Sequence, residues 1–194
     1  MKMLGILSGL LGAGLWAGCD SSSGAGNASA QPETAAVSPK GSVDVGGHPL
    51  SSPTTDPGTL TFEAELVKLV NDYRVSRGLS PLADSSEVSD AARAHSQHSV
   101  AHRFFAHTSP EGLSPGDRLS ENGIAWTSVG ENIAAGYATP QAVFEAWLAS
   151  PSHRENIESD RWTHTGVGYA VDRSPSAEFP HTHLWTQDFL QAPE

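Results

Sequence analysis

Apolar residues recur with two periods along the chain beyond Thr59. Leu66, Leu69, Val70 and Tyr73 stand three and four apart, the spacing of one helical face, with Thr61 as the expected cap, Glu63 and Glu65 in the first turn and Gly78 as the expected stop. A second helix is expected from Asp84, where Glu87 three residues on completes an acidic capping box, to about residue 104. Its inward face, Val88, Ala91, Ala92 and His95, is made mostly of small residues. Ser114 followed by Pro115 predicts a short third helix ending near Asn122. Thr139 and Pro140 open a fourth, whose stripe of Val143, Phe144, Trp147 and Leu148 ends before Pro151. Residues 125–135, 165–171 and 183–190 read instead as strands, with Val167, Tyr169 and Val171 alternating in the second. Helices cluster first and strands mostly follow, with no internal repeat. That order predicts an α+β domain whose small, mostly antiparallel sheet is covered by helices, and it excludes the regular alternation of a parallel α/β fold.

The residues before this region are patterned differently. Lys2 precedes an uncharged apolar run from Leu4 to Trp16, and the small residues Ala17 and Gly18 lead to Cys19, the layout of a secretory signal. As a helix the run covers about 22 Å, short of the roughly 30 Å hydrocarbon core, which disfavours a permanent membrane span. The chain's only cysteine stands where the small residues end, and the segment resembles a bacterial lipobox, in which that thiol is acylated and becomes the mature N-terminus. Residues 1–18 are therefore expected to be a lipoprotein-type signal peptide, Cys19 the lipidation site, and the protein an extracytoplasmic, membrane-anchored lipoprotein. The alternative is a secreted protein whose cysteine happens to lie near the cleavage site. Residues 19–58, rich in Ser, Gly, Pro and Ala and free of aromatics, cannot bury enough apolar surface to offset chain entropy, so a disordered tether is expected there. The domain proper is assigned to 59–194.

Charge and cysteine usage remove several functions. A net charge of −11 repels phosphates, and no cationic cluster offsets it, so no nucleic-acid partner is expected. One cysteine permits neither an intramolecular disulfide nor a thiolate metal cluster. A monomer is expected.

Six stretches in order along the domain, LVNDYRVSRGLSPL (69–82), FFAHTSPEGLSPGDRL (104–119), GENIAAG (130–136), AWLASPSHRENI (146–157), TGVGYA (165–170) and LWTQDF (184–189), make the chain resemble the CAP superfamily (cysteine-rich secretory proteins, antigen 5, pathogenesis-related 1), or SCP domain, in its compact bacterial form. The resemblance implies a three-layer α-β-α sandwich. It also implies a cleft built on two histidines and two glutamates, and three of these positions carry over: His107 of the AHTSPEG stretch, Glu131 of GENIA and His153 of SPSHR. The fourth departs, because Ser150 stands where relatives place a glutamate three residues after the helix tryptophan, Trp147 here. Any activity needing both carboxylates is thereby put in question.

Two imidazoles and a carboxylate gathered by a fold suit a divalent cation, most often Zn²⁺, so His107, His153 and Glu131 are the expected metal ligands and Ser150 an expected cleft residue. Three readings stay open: a metal- or ligand-binding cleft accepting lipid, peptide or cell-envelope material; a structural network in which Glu131 and the imidazoles are struts; and a metal-dependent hydrolase. Catalysis is the least supported. Ser150 and Ser152 lie in no motif that activates a hydroxyl, and HExxH is absent. His95, His98 and His102, three and four apart, line one helix face and could form an accessory metal site, though no carboxylate shares that face and the expectation is that His95 packs inward with the others solvated. His181 and His183 are expected to share a strand face. Trp126, Trp147, Trp162 and Trp185 are expected in the core, or where partly covered, along a ligand groove.

Overall fold

The computed structural model describes residues 56–194. The expected signal peptide, Cys19 and all but the last residues of the expected tether lie outside that range. In chain order the elements are α1 (Pro57–Ser76), β1 (Ala83–Asp84), α2 (Ser86–His102), α3 (Pro115–Glu121), β2 (Ser128–Ala135), α4 (Pro140–Ala149), α5 (Pro151–Glu158), β3 (His164–Val171) and β4 (His183–Gln191). The sheet runs β1-β3-β4-β2. β4 pairs antiparallel with both β2 and β3, and the two-residue β1 pairs parallel with β3. This is the expected α+β fold with a mostly antiparallel sheet.

Alternation along the strands separates two cores. Val167 and Tyr169 of β3, with Trp185 and Phe189 of β4, pack against Leu66 and Val70 of α1, Trp147 of α4 and Ile157 of α5. The opposite face sends Leu190 to Val88 and Ala91 of α2 and to Leu119 of α3. Helices thus cover both faces, and the sheet is the middle layer. Gly166 and Gly168 let α2 approach closely. A Cβ on Gly168 would stand 2.0 Å from the Arg93 backbone nitrogen, and one on Gly166 2.3 Å from that of Ser89. Trp147 and Trp185 are sealed and Trp162 nearly so, while Trp126 is half-buried at the rim of the smaller core.

Beyond Asp84, β1 leaves the edge of β3 without a strand partner, and side chains complete it. The Val167 N–H donates to Ser89 Oγ (3.1 Å) and the Tyr169 N–H to Glu63 Oε1 (2.9 Å). Glu63 is itself held by buried Arg93, whose Nε and Nη2 donate at 2.9 and 2.7 Å. One carboxylate therefore joins α1, α2 and the sheet.

Several boundaries differ from the expected ones. α1 begins at Pro57 with Asp56 as its cap, so Thr61 lies inside the helix and its hydroxyl donates back to the Pro57 carbonyl. Asp84 is in β1, and Ser85 caps α2 by accepting the Val88 N–H. α3 carries a full capping box between Ser114 and Asp117. α4 does stop before Pro151, at Ala149, but a helix not expected follows it: the backbone turns at Ser150 and Pro151 becomes the first residue of α5, where a missing N–H costs nothing.

Candidate functional site at the edge of β2

β2 forms the far edge of the sheet, and consecutive side chains on it face opposite layers. Glu131, directly across from Asp188 on β4, faces the side of α2 and α3. Asn132, across from Gln187, faces α5, where its Nδ2 donates to the His153 carbonyl (3.2 Å). Asn156 of α5 donates to the Glu131 carbonyl and to Asn132 Oδ1 (3.2 and 3.0 Å), fastening that helix to the strand. The site thus wraps around a sheet edge, with His107 supplied by the loop between α2 and α3 and His153 by the opposite layer.

His107 and Glu131 meet. The His107 Nδ1–H donates to Glu131 Oε1 at 2.6 Å, and Arg118 Nη2 donates to Glu131 Oε2. Arg118 also grips the loop itself, its Nη1 donating to the carbonyls of His107 (2.7 Å) and Leu113 (3.2 Å). Burial alone would raise the Glu131 pKa, but the hydrogen bond from His107 and the Arg118 charge outweigh it and hold the carboxyl below its ordinary value. Asp188 responds in the opposite sense. Burial first, and then the negative charge of Glu131, lift its pKa well above the usual carboxylate range.

Little of the cluster reaches water. Glu131 is 5% exposed and His153 2%, and burial, reinforced by the charge of His107, pulls the His153 pKa down to about 4. The His107 side chain is 22% exposed, yet its Nε2 is buried and has no hydrogen-bond partner among the described residues. Ser150 is buried at the bend between α4 and α5, with Oγ 3.4 Å from Ser152 Oγ. An open concavity of about 440 Å³ lies elsewhere, where Phe62, Val100, Tyr169 and Arg173 line a recess between the start of α1, α2 and the end of β3. Its lining includes no tryptophan.

Two participants were not anticipated from sequence. Arg118 stands in the GDRL turn of the third helix, and its signal was a cation on a short helix one turn from the capping residue. Asp188 stands in LWTQDF, and its signal was a carboxylate at an inward position of a buried strand. The other histidines separate. His95 packs inward as expected, 2% exposed, with Nε2 on the Ala106 carbonyl (3.0 Å) and its pKa lowered to about 4 by burial. No carboxylate of α2 shares the face of His98 and His102, but the loop returns Glu111 to them, with Oε2 3.0 Å from His98 Nε2. His181 precedes β4 and packs between Phe105 and Phe179, whereas His183 lies in the strand with Nδ1 2.6 Å from the Tyr169 hydroxyl, so the two do not share a strand face.

The profile of CAP, the cysteine-rich secretory protein family, matches residues 67–189. Among curated proteins, YkwD of Bacillus subtilis (strain 168) is 38% identical over 138 residues, 71% of this chain and 50% of YkwD. The membrane protein YlbC of the same organism is 34% identical over 131 residues, 68% of this chain and 35% of YlbC. This chain therefore spans half or less of the curated relatives it matches. Among solved structures, an extracellular protein containing an SCP domain from Bacillus anthracis str. Ames aligns with a TM-score of 0.61 at 28% identity, over 72% of this chain and 45% of that one. An outer surface protein of Borrelia burgdorferi shares the fold, with a TM-score of 0.58 at 19% identity over 67% of this chain and 92% of its own. The order of helices, the strand sequence β1-β3-β4-β2 and the matched span together place this chain in the CAP superfamily.

Proposed function

We propose that this protein is an extracytoplasmic, lipid-anchored CAP module that binds rather than cleaves, using His107 and His153 at the β2 edge to take a divalent cation such as Zn²⁺ or the polar end of a lipid, peptide or envelope ligand. The observation that carries this reading is the His107 Nδ1–H on Glu131 Oε1 at 2.6 Å, which leaves His107 Nε2 buried and, among the described residues, unpartnered. A carboxylate behind an imidazole fixes its tautomer and strengthens the opposite nitrogen as a donor to metal or as a hydrogen-bond acceptor. Both Glu131 oxygens are engaged, one by His107 and one by Arg118, so on this reading the imidazoles of His107 and His153 would be the donors to a cation, with Glu131 orienting the first of them. A cation held there supplies positive charge to polarise a ligand oxygen. The extracellular SCP protein of Bacillus anthracis supports the extracytoplasmic location.

The hydrolase reading has less support from the same geometry. Glu131 is committed to two cationic or donor partners, and the Ser150 hydroxyl lies 3.4 Å from that of Ser152. Calorimetric titration with Zn²⁺ tests the proposal. His107→Ala and His153→Ala should each weaken binding at the cleft at least about tenfold, and Glu131→Gln by about 10- to 100-fold through loss of the orienting bond. Unchanged affinity and stoichiometry in both histidine variants would remove the cleft as the binding site. Turnover of casein or envelope polymer that disappears in Glu131→Gln would replace binding by hydrolysis.

A further inference from the structure

We propose that His98, His102 and Glu111 form a second, surface site for a divalent cation of the Zn²⁺ class, separate from the His107–His153 cleft. Among the described residues these three are the group of His, Cys, Asp or Glu side chains whose candidate ligand atoms all lie within 4.8 Å of one another. His98 and His102 are one helical turn apart near the end of α2, and their ring centroids are 4.1 Å apart. Glu111 belongs to the tight turn of 109–112, where the Gly112 N–H donates to the Ser109 carbonyl (2.9 Å) and Gly112 takes a φ of 92°. The chain leaves α2 through Arg103 in the left-handed conformation, and the loop then doubles back so that Glu111 Oε2 sits 3.0 Å from His98 Nε2.

The spacing suits a cation. Two donors on a tetrahedral Zn²⁺ with bonds of roughly 2.0–2.1 Å stand about 3.3 Å apart, close to the His98–Glu111 separation, and rotation of the exposed His102 and Glu111 side chains can close the rest. Mixed imidazole and carboxylate donors match Zn²⁺ and its neighbours in the first transition row. The setting is favourable too: the carbonyl end of α2 carries partial negative charge, and the chain's net charge of −11 concentrates cations near it. Occupancy would staple the end of α2 to the loop that carries His107. The site is independent of the cleft, since its ligands are held by α2 and the 109–112 turn and share no atom with Glu131, Arg118 or His153.

The test is a Zn²⁺ titration of the whole protein and of the His107→Ala/His153→Ala double variant, followed by calorimetry. The proposal expects one cation per chain to remain bound in that variant. That binding should be lost when His98→Ala and His102→Ala are added and weakened at least tenfold by Glu111→Gln, with the unfolding midpoint of the metal-free protein little changed because these side chains lie at the surface. No Zn²⁺ binding in the cleft variant, or binding that survives His98→Ala/His102→Ala, overturns it. Should the cleft variant fail to fold, imidazole NMR of the wild-type protein gives the answer: Zn²⁺-induced shifts at His98 and His102 support the site, and shifts confined to other histidines refute it.

Discussion

Three buried titratable side chains near the site set opposing pH dependences. His95 and His153 both have pKa values lowered to about 4 by burial, against an ordinary value of 6.5. Between those limits the unfolded chain binds a proton at each position and the folded chain does not, so stability is full above about pH 6.5 and is lost as the pH falls towards 4. Asp188 works the other way. Its folded pKa is raised by burial and by Glu131, so the folded state keeps a proton that the unfolded state releases, and its contribution falls as the pH rises above the ordinary 3.8. The two histidines outnumber the one acid, so urea midpoints should decline from pH 6.5 to pH 4. His95→Gln, which can keep the donor to the Ala106 carbonyl without a titrating ring, should show a shallower decline. Asp188→Asn should gain stability relative to the wild type as the pH rises from 4 to 8. A His95→Gln profile parallel to the wild type, or an Asp188→Asn difference independent of pH, would contradict this account.

At the level of elements, the contact between α2 and β3 depends on missing side chains. Gly168→Ala places a methyl 2.0 Å from the Arg93 nitrogen and 2.2 Å from the Ala92 carbonyl carbon, both rigid backbone, so α2 must move away from the sheet. Overpacking of this kind costs about 3 kcal/mol or more, to be read as a shift in the urea midpoint, and a change within about 0.5 kcal/mol would mean the helix yields more readily than the contact implies. The same contact explains which parts of the fold were legible beforehand. Strands with alternating apolar residues, such as Val167 and Tyr169, and helices with a heavy stripe, such as Val143 to Leu148, announced themselves by period. β1 is two residues long and has no period to read. α5 was hidden because Pro151 reads equally as the end of one helix or the first residue of the next, and the choice is made by the bend at Ser150. The site divides similarly: His107, Glu131 and His153 were visible through resemblance, whereas Arg118, Asp188 and Glu111 acquire their partners only through the turn after α2 and the β2–β4 register.

For the whole molecule, the proposed residence at a membrane rests on the segment before the folded domain. None of the helices among the described residues is long and apolar enough to cross a bilayer. The chain's net charge of −11 is repelled by anionic lipid surfaces, so it gains nothing from the electrostatic attraction that holds basic proteins there. Stable anchoring by acyl chains takes at least two signals, because a single fatty chain gives only marginal, reversible binding. Cys19, the chain's one cysteine, is the residue on which the proposed acyl chains would be assembled. Cys19→Ser should therefore shift the protein from the detergent-extractable membrane fraction to the soluble fraction while leaving the unfolding midpoint of the domain unchanged. Intact mass distinguishes the ways this can fail. A variant that stays in the membrane with its first eighteen residues still attached is held by an uncleaved signal and leaves acylation standing, whereas a cleaved, unacylated variant that still pellets with membranes shows that the domain itself carries the affinity and sinks the lipoprotein assignment.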